Sequence, residues 1–146
     1  MPASSTPTDV AEAVLAVMRI LRPRVDSAMS AHGLSLARGK VLGAIQRDSP
    51  CRPGTIAAEL GQSPRTLTDA VDALERDGLV ARQPDPSDRR AQLLVLTDAG
   101  VAALKAVEVP RRDVVDHLFG CLDAAEREQL VDMLRRVEAA ARDDAA

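Results

Sequence analysis

Aromatic residues are almost missing from this chain of 146 residues, which has one Phe and neither Trp nor Tyr. Alanine, leucine and valine must therefore fill the core. Such side chains favour close packing of helix on helix, so the composition points to a mainly helical fold. Lysine is scarce too: Lys40 and Lys105 are the only two, and arginine carries the remaining positive charge. No apolar run approaches the roughly 20 residues that a membrane span needs. The opening MPASSTPTD lacks the basic and apolar regions of a signal peptide, so no membrane partner is expected and a cytoplasmic location is the default.

Other absences narrow the chemistry. Two cysteines, Cys51 and Cys121, make no disulfide framework. There is no phosphate-binding glycine loop, zinc motif, nucleophile elbow or paired Cys/His arrangement, so an enzyme is not expected, nor a cofactor. His32 and His117 have no partner at metal-ligand spacing. Asp113, Asp116 and His117 read as a solvated helix face, and no metal is expected.

What is present suffices for one domain with a buried core: 46% hydrophobic and 28% charged residues. The net charge of −3 does not mark a nucleic-acid binder, but its distribution is uneven. Arg38, Lys40, Arg47, Arg52 and Arg65 are opposed locally only by Asp48 and Glu59, whereas the stretch after Leu122 is rich in acids. A basic middle facing a polyanion, with ends facing elsewhere, fits this layout.

Along the chain, Val10, Val14, Val17 and Leu21 recur at helical spacing. Pro23 is expected to kink or end this first helix near Leu21, with resumption through Val25 and Met29. Ser35 caps a second helix carrying Leu36, Val41, Leu42 and Ile45. Pro53 and Gly54 open a short third helix that stops at Gly61. Ser63 then caps a fourth, with Pro64 at its first position and Leu67, Ala70, Val71 and Leu74 as an apolar stripe. Two helices joined by a short glycine-bearing turn make a helix-turn-helix. Burying that stripe leaves Arg65, Thr66, Thr68, Asp69 and Asp72 pointing outward, mostly from the end that a recognition helix presents to base edges.

Leu79–Gln83 and Gln92–Thr97 read as paired strands, joined by the turn-rich PDPSDRR, residues 84–90. A β-hairpin after a helix-turn-helix is a wing, and paired arginines at its end suit a narrow minor groove. The chain then returns to helix through Val101, Leu104 and Val107, passes Pro110, and reaches a last helix opened by an Asp123–Glu126 capping box. The expected fold is thus mainly α with a small β-hairpin.

The segment GLVARQPDPSDRRAQLLVLTDAG, residues 78–100, resembles the wing of the MarR family, whose signature is an Asp, any residue, an Arg, five residues and Leu-Thr. Here these are Asp88, Arg90 and Leu96-Thr97. IAAELGQSPRTLTDAVDALERDGLV is similar to the family's helix-turn-helix, and LSLARGKVLGAI to its second helix. The resemblance implies a winged helix-turn-helix whose terminal helices intertwine into a homodimer. On that basis residues 1–8 are a disordered lead and 9–146 a single domain. Within it, about 35–100 form the DNA-binding lobe, and about 9–32 and 101–142 the dimerisation helices.

The resemblance further implies a ligand-responsive repressor on a pseudo-palindromic operator, with a small-molecule effector between the dimerisation helices and the lobe. The expected DNA contacts are Ser63, Pro64, Arg65, Thr66, Thr68 and Asp69 on the recognition helix, Asp88, Arg89 and Arg90 on the wing, and Arg38 and Arg52 on phosphates. The alternative for the wing is an Asp88–Arg90 ion pair that only shapes its tip. Relatives often carry a basic residue where Asp69 stands; an acid there repels phosphate yet can accept from cytosine N4. Cys51, near Arg47 and Arg52, invites the idea of a thiol of lowered pKa and a redox signal, whereas Cys121 reads as a buried hydrophobe. The rival functions are a winged-helix module for protein assembly, and a metal- or redox-responsive regulator of the same fold.

Overall fold

A computed structural model describes residues 4–143. Six helices and one hairpin follow in the order α1 (Pro7–Ser30), α2 (Leu36–Asp48), α3 (Pro53–Glu59), α4 (Pro64–Arg76), β1 (Val80–Asp85), β2 (Asp88–Leu96), α5 (Asp98–Phe119) and α6 (Ala124–Asp143). None of these helices is long and apolar enough to cross a membrane.

Helix α1 begins inside the expected lead because Thr6 and Asp9 close a capping box: the Asp9 N–H donates to Thr6 Oγ1 at 3.2 Å and the Thr6 N–H to Asp9 Oδ2 at 2.8 Å. The expected disorder over residues 1–3 lies outside the described residues. Pro23 does not break α1, which runs unbroken to Ser30. Pro23 itself is exposed, and the turns beyond it are anchored by Val25 and Met29 in the core and by packing on α5, which likewise runs through Pro110. Tertiary packing of this kind overrides the local cost of a helix-interior proline.

The helix-turn-helix is made by its two glycine stops. Gly61 and Gly78 both take a left-handed φ, +62° and +74°. In each case the glycine N–H and the next N–H reach back to carbonyls of the last turn: Gly61 to Ala58 and Gln62 to Ala57, then Gly78 to Glu75 and Leu79 to Leu74. Ser63 opens α4 two residues after Gly61, its Oγ accepting from the Thr66 N–H at 3.1 Å. The stripe of α4 then buries Leu67, Val71 and Leu74 in one core with Leu42, Ile45 and Ile56.

The hairpin is longer than its sequence suggests. Val80 pairs with Leu96 and Pro84 with Gln92, and after an irregularity Asp85 pairs with Asp88, leaving Pro86 and Ser87 as the turn. Residues 84–90 therefore do not form one loop; Asp88, Arg89 and Arg90 lie on β2. The prolines mislead because Pro84 stands on β1, whose outer edge is free and where a missing N–H costs no ladder bond, and Pro86 stands in the turn. Cys51 adds a short antiparallel bridge to Leu94, with its N–H to the Leu94 carbonyl at 3.2 Å and the Leu94 N–H to its own at 2.7 Å.

The core thus joins α2, α3, α4 and the hairpin, with Val25 and Met29 of α1 and Val107 of α5 closing it. Helix α6 has no buried residue. Its first turn is closed by the expected capping box, in which the Asp123 N–H donates to Glu126 at 2.8 Å and the Glu126 N–H to Asp123 at 2.9 Å.

Candidate nucleic-acid interface

The first turn and a half of α4 presents an exposed polar face made of Ser63, Pro64, Arg65, Thr66, Thr68 and Asp69. Part of this face is already engaged in holding the helix. Ser63 Oγ caps the Thr66 N–H and lies 2.8 Å from Thr66 Oγ1, while Thr68 Oγ1 donates to the Pro64 carbonyl at 2.8 Å. Arg65 and Asp69 have no ion-pair partner among the described residues. Further along, Arg82 of β1 spans both acids of the next turns, Asp72 at 2.5 Å and Glu75. This tether ties α4 to the wing and neutralises two of the helix's three exposed acids.

The turn of the wing is organised by Asp85, the only buried charged side chain among the described residues. One carboxylate oxygen accepts from Ser87 N–H at 2.8 Å and Ser87 Oγ at 2.7 Å; the other accepts from Arg52 Nε at 2.9 Å and Nη2 at 2.6 Å. These four donors, those of Ser87 foremost, hold its carboxyl down at about 2. Beyond that point Asp88 accepts the Arg90 backbone N–H at 3.0 Å. The wing tip is therefore shaped by an Asp88 contact to backbone, and no Asp88–Arg90 ion pair forms. The guanidinium groups of Arg89 and Arg90 are exposed and have no carboxylate partner among the described residues.

The segment from 32 to 91, which spans the helix-turn-helix and the wing through Arg90, matches the family model described as MarR family. Over that segment the chain is similar to the MarR family. Among curated members, the transcriptional repressor NicR of Pseudomonas putida is 27% identical over 140 residues, covering 93% of this chain and 89% of that one. A solved structure of a MarR mutant from Escherichia coli, complexed with operator DNA, superposes with a TM-score of 0.81 at 26% identity over 88% of this chain and 92% of that one. The PcaV regulator of Streptomyces coelicolor, solved with its natural ligand, gives 0.73 at 26% identity over 97% and 99%. The winged helix-turn-helix expected from the resemblance is the fold observed.

Two of the expected phosphate contacts have other duties. Arg52 binds Asp85, and Arg38 is paired with Asp77 at the end of α4. Their partners lie 33 and 39 residues away in sequence, beyond any local reading. Arg82 and Asp85 escaped that reading altogether, and Thr97 entered it only as the end of a strand and of the Leu-Thr signature. The one available signal was the Asp72/Glu75 pair, three residues apart on a helix and followed by a strand arginine.

Cys51 is buried, and its thiol is pushed up, not down, by burial first and then by Asp48 and Glu59. Cys121, expected to be buried, is exposed. His32 Nδ1 lies 3.0 Å from the Ala28 carbonyl, a bond within its own helix end.

A second feature lies behind the helix-turn-helix. An open crevice of about 1440 Å³ runs between α1, α2 and α5 and reaches Glu59, Leu60 and Gln62 at the end of α3.

Proposed function

We propose that this protein is a ligand-responsive transcriptional repressor that binds a pseudo-palindromic operator as a homodimer, with α4 in the major groove and the wing in the minor groove. The observation that carries the DNA reading is the exposed, unpaired state of Arg65 on α4 and of Arg89 and Arg90 on β2. A minor groove, with its concentrated negative potential, is the surface such paired arginines fit. Ser63, Thr66 and Thr68 contribute phosphate or base contacts, and Asp69 accepts from a cytosine N4. Arg38 and Arg52 act mainly as braces, and any phosphate contact they make is shared with Asp77 and Asp85.

The dimer reading rests on exposed apolar residues of the terminal helices, among them Val14 of α1 and Leu134 of α6. A two-fold axis sets the two α4 helices one DNA turn apart, about 34–36 Å. The crevice behind the helix-turn-helix is the effector site. Its walls belong both to the lobe and to α1 and α5, so a molecule wedged there changes the spacing of the two recognition helices.

Binding to DNA from the region upstream of its own gene tests the reading. Arg90→Ala should weaken binding by about 1–3 kcal/mol and lower the steepness of its salt dependence, with fold and mass unchanged. Unaltered affinity and salt slope would remove the wing from the interface. An absence of salt-sensitive DNA binding would favour the protein-assembly reading instead.

A further inference from the structure

The crevice holds a distribution of charge that the DNA reading does not use. Five cations line it: Arg47 of α2 is paired with Glu59, and the other four are Arg22 of α1, Lys40 of α2, and Lys105 and Arg111 of α5. They include both lysines of the chain. None of the four has an ion-pair partner among the described residues. The carboxylates on the same walls already have partners: Asp26 accepts the Leu36 N–H at 2.8 Å, Glu59 pairs with Arg47, and Glu108 meets Arg112 at 3.4 Å. In a chain of net charge −3 the crevice is therefore a local positive well.

Its remaining surface is aliphatic, with Leu36, Leu60 and Leu104, and the only aromatic residue, Phe119, does not line it. Ring stacking is unavailable as a means of recognition. Lys105 and Arg111 are six residues apart on one helix, a rise of about 9 Å along its axis.

Gly43 adds an independent observation. It stands in the interior of α2 and lines the crevice, yet a Cβ there would meet nothing within 4 Å. A helix-interior glycine costs about 0.5–1 kcal/mol relative to alanine, and here no close packing accounts for it. It leaves the wall of the crevice open.

We propose that the crevice takes a small molecule with an aliphatic body and two anionic groups, bound by Lys40, Lys105, Arg22 and Arg111. This rests on reading the crevice as the effector site. Titration calorimetry with octanedioate, octanoate and octane-1,8-diol tests it, since the three carry two, one and no carboxylate on the same aliphatic chain. Octanedioate should bind at least about tenfold more tightly than octanoate, and the diol should not bind. The double variant Lys40→Gln/Lys105→Gln should lose about tenfold or more for octanedioate. Gly43→Leu should abolish binding without lowering the melting temperature.

No binding of octanedioate, equal binding of the monoanion, or affinity that survives loss of both lysines overturns the proposal. So does a fall in the salt slope of ligand-free operator binding in the double variant, which would assign these lysines to DNA phosphates. Octanedioate binding that responds to the variants but leaves operator affinity unchanged keeps the dianion site while sinking its role as effector.

Discussion

Asp85 shows how much a single buried carboxylate organises here. It joins the residue before α3, Arg52, to the turn of the wing through Ser87, so one charge fixes two segments 33 residues apart. Because its folded pKa of about 2 lies below the ordinary 3.8, the unfolded chain takes up the proton more readily than the folded one. The contribution of Asp85 to stability is therefore complete above the ordinary value and fades as pH falls through about 2. Urea midpoints of the native chain and of Asp85→Asn should differ most above about pH 5 and converge between about pH 4 and pH 2. A difference independent of pH would mean that the side chain acts by shape alone. Arg52, the partner that sequence alone assigns to DNA phosphate, shows why this residue was hard to read: a charge next to a helix start looks solvated until its distant partner is known.

At the level of elements, what was legible followed from local period and punctuation. The α4 stripe, the Ser63 cap and the Gly61 and Gly78 stops are all set within a few residues, so the helix-turn-helix emerges from sequence with its outward face correctly assigned. The hairpin extents, the persistence of α1 beyond Pro23 and the tethers on Arg38 and Arg52 depend on packing between distant segments. Thr97 shows the physical content of the Leu-Thr signature. Its Oγ1 donates to the Gly78 carbonyl at 2.6 Å and accepts the Gly100 N–H at 3.1 Å, stapling the exit of the wing to the end of α4 while capping α5. That staple brings Gly100 so close that a Cβ would collide with the Leu79 carbonyl, a backbone atom held by its own bond from the Thr97 N–H. Gly100→Ala should destabilise the fold by about 1–3 kcal/mol, the usual cost of overpacking. Gly43→Ala, with open space around it, should stabilise by about 0.4–1 kcal/mol. Denaturant unfolding of the two variants, opposite in sign, checks both.

For the molecule as a whole, apolar exposure is concentrated at its ends. Every exposed large hydrophobic residue among the described residues lies on α1, α5 or α6, including Val10, Val14 and Met18 of α1 and Met133, Leu134 and Val137 of α6, and none lies between α2 and β2. A lobe that faces polyanionic DNA keeps its apolar side chains inside, while helices that expose them without cover mark a surface for another chain. A second copy fits best, because two-fold pairing covers the same stripes on both protomers and leaves both wings free. The chain should therefore sediment at twice its 15.5 kDa. Val14→Glu combined with Leu134→Glu should reduce it to a single helical protomer, since neither side chain is part of the buried core. Operator affinity should then fall by about 10²–10⁴, because each half-site is gripped without the effective concentration that the linked partner supplies. A double variant that stays dimeric would place the interface on other faces. One that becomes monomeric yet keeps full operator affinity would show that a single recognition helix and wing suffice for binding.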